Sequence, residues 1–239
     1  MKKGFTLAEI LITLAIIGVV AALTIPALMV SYQKKQYYTQ FMKVYNTLSN
    51  AFTMAQTEHG EVSDWTLGEN MSGSEYLQRY LGDSLKITKV CESATDCGMS
   101  EDTTLKALNM DGTIPYAMMF SFLKPLMFAD GAFFMDAGES IHPDQKEVIL
   151  TLVDTNGGKA PNTVGRDIFY FEIYKTQKGY VLAPFGSYKC SGDYCESKTK
   201  EELKTDLEDA NTDISCTFTG ESAGQGCAAR LLLEGKMDY

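Results

Sequence analysis

Positive charge is scarce in this chain: 21 Lys and Arg stand against 31 Asp and Glu, for a formal net charge of -10 and a pI near 4.7. A groove for nucleic acid needs clustered Lys and Arg to displace counterions from phosphates, so this balance argues against one. Histidine occurs only at positions 59 and 142, and there is no C-x2-C or His–Cys cluster, which removes the usual ligand spacings of a zinc site. Neither a phosphate-binding glycine loop, an internal repeat nor a low-complexity linker is present. Apolar residues make up 45% of the 239, an ordinary share for a chain long enough to bury one good-sized core. They are unevenly spread, because the first thirty positions hold a disproportionate part of them.

Residues 10–30 form an apolar run interrupted only by Thr13, Gly18, Thr24 and Pro26. As a helix that run is long enough to cross a hydrocarbon core about 30 Å thick. Lys2 and Lys3 precede it, which keeps the N-terminus cytoplasmic and sends the remainder outward. Lys34 and Lys35, in the polar patch 31–36, mark the exit from the bilayer. A secretory signal cut near Val20-Ala21-Ala22 and a plain single-span anchor are two readings of such a segment. Neither explains Glu9, a carboxylate at the head of a membrane helix, where a charge at full depth costs about 2.5–3.5 kcal/mol. Thr6-x-x-Glu9 also fits a capping box, a purely local use of the same side chain.

The whole string Lys3-Gly4-Phe5-Thr6-Leu7-Ala8-Glu9, followed by an apolar helix containing Pro26, closely resembles the class III signal of type IV pilins and type II secretion pseudopilins. The resemblance is tight over about the first 30 residues and looser beyond. It implies cleavage by a membrane-embedded prepilin peptidase between Gly4 and Phe5, with Phe5 becoming the N-methylated terminus. It also implies that Glu9 answers the charged terminus of a neighbouring subunit, which removes the cost of two buried charges only in the correct stagger. The implied partners are other copies or other pilins in a helical polymer, the peptidase, an ATPase-driven assembly platform in the bacterial inner membrane, and membrane lipid. No cofactor is required. The leading expectation is therefore a structural subunit, not an enzyme, for secretion or pilus function. The alternative is a membrane-tethered minor pilin acting as a binding or adhesion module, although Glu9 favours a place inside the filament.

The helical pattern continues past the membrane. Tyr37, Phe41, Val44, Tyr45, Leu48, Phe52 and Ala55 fall on one face of an amphipathic helix, which His59-Gly60 should end. Pro26, lacking an N–H for the ladder, should kink this rod or loosen one turn. Residues 74–81 read as a short helix, and strands are expected only from 116 onward: at 132–135, 147–153, 168–174 and 180–182. Residues 200–210 and 227–235 read as helical. The expected fold is α+β, a pilin-like lollipop whose long helix packs on an antiparallel sheet, with a disulfide-bonded C-terminal region. The divisions are leader 1–4, membrane and filament-core helix 5–30, amphipathic continuation 31–59, and a periplasmic or extracellular head 60–239.

Six cysteines, Cys91, Cys97, Cys190, Cys195, Cys216 and Cys227, are an even count in an exported chain and suggest disulfides, with local pairing the simplest of fifteen connectivities. Residues 154–167 connect two strands and supply hard oxygen ligands at Asp154, Asn156, Asn162 and Asp167, a set that calcium prefers. Major pseudopilins carry a calcium loop in a similar place, though this segment lacks the third acidic position and terminal glutamate of an EF-hand; a plain turn uses the same residue types. Gly220-Glu221-Ser222-Ala223-Gly224 matches the G-x-S-x-G nucleophile elbow, but it has no strong strand before it and no histidine after it, so a loop is expected. His59 and His142 stand isolated, the first at a helix end and the second before Pro143 in a turn.

Overall fold

The structure, a computed structural model, describes residues 6–65, 73–93, 95–98, 125–129, 131–136, 147–220 and 222–239. Helix α1 spans Leu7–His59, 53 residues or on the order of 80 Å. It starts at Thr6 and ends at Gly60, whose φ of 82° lets its N–H turn back to Gln56 O at 3.1 Å. Beyond a 3-10 turn (Val62–Asp64), Trp65 locks this end: its indole N–H donates to Gly60 O at 3.0 Å, and its ring stacks on Tyr80 at 4.6 Å. The helical assignment passes through Pro26 without a break, because a missing N–H removes one rung and leaves the rest of the ladder intact.

Helix α2 (Gly73–Leu85) lies against α1 with Leu77, Leu81 and Leu85 buried at i, i+4, i+8 spacing. Six strands follow: β1 (Ile87–Val90), β2 (Leu126–Phe128), β3 (Phe133–Asp136), β4 (Glu147–Asp154), β5 (Ile168–Thr176) and β6 (Gly179–Pro184). They pair in chain order as an antiparallel meander, with Val153 opposite Phe169 and Ile173 opposite Leu182. Strands β7 (Tyr188–Ser191) and β8 (Tyr194–Ser197) form a separate hairpin, followed by α3 (Lys200–Glu208) and α4 (Cys227–Glu234).

Strand β5 is the centre of the head, rich in β-branched and aromatic residues and buried on both faces. Its odd positions face α1: Phe41 sits 4.8 Å from Phe169 and 6.1 Å from Phe171, ring to ring. Its even positions face the other way, Tyr170 toward Phe185 and Tyr174 stacked on Tyr188 of β7 at 4.7 Å. Phe41, Val44, Leu48, Ala51, Phe52 and Ala55 are the buried residues of α1. Each large one contributes about 1.5–3 kcal/mol by burial. The buried stripe agrees with the expected face, except that Tyr37 and Tyr45 are half-buried at its edge and Ala51 belongs to it.

The chain departs from the expected strand map at β1, which lies well before residue 116. Ile87-Thr88-Lys89-Val90 is a four-residue edge strand whose exposed side chains carry almost no alternation signal; its pairing with β2 makes it a strand. Disulfides join Cys91–Cys97, Cys190–Cys195 and Cys216–Cys227. In a chain-entropy account such short loops give about 2–3 kcal/mol each.

Candidate functional site

The first region of interest is the head of α1. Thr6 N donates to Glu9 Oε2 at 2.8 Å, Thr6 Oγ1 donates to the same oxygen at 2.8 Å, and Glu9 N donates back to Thr6 Oγ1 at 3.3 Å. The capping box is complete, so within a single chain Glu9 satisfies the start of its own helix. Gly4 and Phe5, the processing residues, lie outside the described residues, as do Lys2, Lys3 and His142.

From Leu7 to Val30 the helix has no core of its own. Leu7, Leu14, Leu23 and Leu28 stand 59–75% exposed, and no residue of the most apolar stretch is buried, at a mean hydropathy of 2.6. An exposed apolar surface of this length needs lipid or other protein to cover it. Thr13 and Thr24 do not interrupt it in polar terms, because their hydroxyls donate to Ile10 O and Val20 O at 2.9 Å each.

The second region is the β4–β5 connection. Asp154 ends β4 opposite Ile168, and Asp167 immediately precedes β5, so strand pairing brings the two carboxylates to one end of the sheet. Both are fully buried. Asp154 accepts from the backbone N–H groups of Asn156 at 2.8 Å, Gly157 at 3.1 Å and Gly158 at 2.6 Å. Asp167 accepts from Thr163 N at 2.7 Å, Asn162 N at 2.9 Å and Asn156 Nδ2 at 2.8 Å. Glycines at 157 and 158, with φ of 78° and 75°, supply the left-handed backbone that aims successive N–H groups inward. Burial pushes the Asp154 carboxyl up to about 7 and that of Asp167 up to about 6, against the pull of these hydrogen bonds; Asp167 adds like-charge repulsion at Asp154.

The side-chain oxygens of Asn156 and Asn162 are buried without a hydrogen-bond partner. Unpartnered buried amide oxygens are costly. Here two of them share a loop with two buried carboxylates, oxygens of the chemical kind a hard cation takes. The structure thus brings all four sequence-selected residues into one hydrogen-bonded loop, in which the carboxylates organise the backbone rather than facing solvent. This end of the sheet also meets the neck of α1: the Tyr37 hydroxyl is raised chiefly by burial and further by the charge of Asp167.

The remaining sequence features separate from both regions. Ser222 sits in turns just before α4 with no strand leading into it, the wrong context for a nucleophile elbow. His59 packs edge-on against Tyr80 at 5.4 Å. Among the described residues, no group of three or more His, Cys, Asp or Glu is arranged to hold a metal. Sequence reasoning missed Tyr239, whose hydroxyl donates to Gly165 O at 2.9 Å; a lone aromatic beyond α4 carries no periodic signal that would have found it.

Comparison with known proteins divides the chain at about the same place. Residues 1–25 match the prokaryotic N-terminal methylation motif, a type IV pilin-like prepilin signal on a transmembrane helix. Residues 27–217 match a family of unknown function (DUF6613). No curated protein and no solved structure matches the chain.

Proposed function

We propose that this chain, which belongs to the family of unknown function DUF6613, is a structural filament subunit of the pseudopilin or type IV pilin kind. At the coarser level it is a pilin-like protein with a prepilin signal. In the finer reading, a prepilin peptidase cuts between Gly4 and Phe5 and methylates Phe5. The precursor waits in the bacterial inner membrane with Lys2 and Lys3 on the cytoplasmic side; the cut removes both lysines, and the mature subunit polymerises with itself or other pilins on an assembly platform. The observation that carries this reading is the apolar surface of residues 7–30, which none of the described residues buries, headed by the only carboxylate in that stretch.

Glu9 supports the assembly step through exchange of partners. In one chain it caps Thr6; in a polymer it answers the methylated ammonium of a neighbouring Phe5, and the buried charges then neutralise each other. Pro26 supplies a weak rung at which the helix can loosen as subunits pack. The loop formed by Asp154, Asn156, Asn162 and Asp167 binds calcium in this reading, stabilising the membrane-proximal end of the head rather than serving catalysis.

Co-expression with a prepilin peptidase, followed by intact-mass measurement and N-terminal sequencing, tests the processing step. A chain starting at N-methylated Phe5 is expected. A chain starting near Leu23 would make it an ordinary secreted protein and end the filament reading.

A further inference from the structure

Tyr239 lies at the meeting point of three elements. Its hydroxyl donates to Gly165 O, and its ring lies under the Arg230 guanidinium, 5.3 Å from carbon to centroid. Arg230 is itself fixed: Nε pairs with Glu234 at 2.8 Å, and a terminal nitrogen donates to Cys216 O at 3.1 Å, beside the Cys216–Cys227 bond. Gly165 belongs to the closed turn before β5, where Gly165 N donates to Ile168 O and Asp167 N to Thr163 O. There is no slack behind it, since a Cβ added at Gly165 would stand 2.9 Å from Cys227 Sγ and 3.1 Å from Gly224 Cα. The Asp238 carboxyl sits below its usual range chiefly through its hydrogen bond from Lys236, with smaller pulls from Lys34 and Arg230.

We infer that Tyr239, held by Arg230, is a latch that fixes the 162–168 turn against α4, and so positions the oxygen set of the 154–167 loop for a cation. Asp167 and Asn162 lie in or beside the turn that the latch holds, so opening the latch frees the backbone N–H groups that aim the Asp167 carboxylate. A ligand that binds only the ordered loop is then linked to the latch in both directions. Tyr239 is a positioning residue, since its hydrogen bond goes to backbone and not to a donor atom of the set. The affinity part of this inference rests on the calcium reading above; the latch itself does not.

The test uses the full chain in detergent micelles, comparing wild type, Tyr239→Phe and, as a control on the β7–β8 hairpin, Tyr194→Phe. Amide hydrogen exchange of residues 165–168 is measured without divalent cation, and terbium luminescence titration reports the loop's affinity. Loss of one hydroxyl hydrogen bond should speed exchange in that turn about fivefold and weaken terbium binding by a similar factor, with Tyr194→Phe unchanged in both. Unchanged exchange in Tyr239→Phe overturns the latch. Faster exchange with unchanged terbium affinity overturns its link to the oxygen set. A wild-type chain that binds no terbium overturns the cation reading, and the exchange result alone then decides the latch.

Discussion

The two halves of α1 share one hydrogen-bond ladder and face opposite surroundings. Between Phe41 and Ala55 the helix buries a stripe of six residues against β5, β6 and α2. From Leu7 to Val30 the same helix buries nothing, although it is far more apolar. In the outer half hydrophobicity is patterned at the helical period and satisfied by the chain itself. In the inner half it runs all round, which suits lipid on every side and then other helices. The difference separates what folds the molecule from what assembles it, and the two should be breakable independently.

The largest effect is expected in the inner half. Glu9→Ala removes the only carboxylate there, and it should leave cleavage at Gly4 nearly intact while reducing filament yield to background, as read by electron microscopy of sheared or membrane fractions. Stability of the head should not change, since among the described residues the hydrogen bonds of the Glu9 side chain go to Thr6. The converse change lies in the outer half. Phe41→Ala leaves a cavity between α1 and the rings of Phe169 and Phe171, and it should cost about 3–5 kcal/mol in denaturant unfolding while processing continues.

An intermediate effect concerns the 154–167 loop. Asp154 and Asp167 have carboxyls raised in the folded state to about 7 and about 6, above an unfolded value of 3.8. Between those limits the folded chain holds more protons than the unfolded one, so stability should fall as pH rises from about 4 to about 7. Thermal scans without divalent cation should show the midpoint dropping across that window. Added calcium should raise it at pH 7.5 and hardly at pH 4.5, where the carboxyls are protonated. A midpoint that rises with pH across the window would refute the burial argument for this pair. The smallest effect is local to the start of α1: Thr6→Ala removes the capping hydroxyl and should cost about 1 kcal/mol of helix stability, measurable as fraying at residues 7–10.

The comparison also marks where the sequence was readable. Both ends of α1 were, because a capping box at Thr6 and a glycine after His59 are local chemistry that does not depend on the rest of the fold. β5 and β6 were, since dense β-branched and aromatic residues leave little choice. The β7–β8 hairpin was not, although Gly192-Asp193 is a two-residue hairpin loop with Gly192 at φ 64°; its strands are short and polar, and packing of Tyr188 and Cys195 around Tyr174 ties them to the sheet. In the loop, composition singled out four oxygen-bearing residues, but not that Asp154 and Asp167 turn inward, since that follows from β4–β5 register. Tyr239 lay beyond reach for a related reason: its contacts depend on where Gly165 and Arg230 meet in space.

The central claim is that residues 7–30 are left uncovered in one chain because other chains cover them. The most direct measurement is a cryo-electron microscopy reconstruction of filaments from cells expressing the chain together with its peptidase and assembly platform. The account predicts a helical core of α1 inner halves, with Glu9 of each subunit against the N-methylated Phe5 of a neighbour. Fully processed chains that remain single in the membrane, with that assembly machinery active on another pilin, would contradict it.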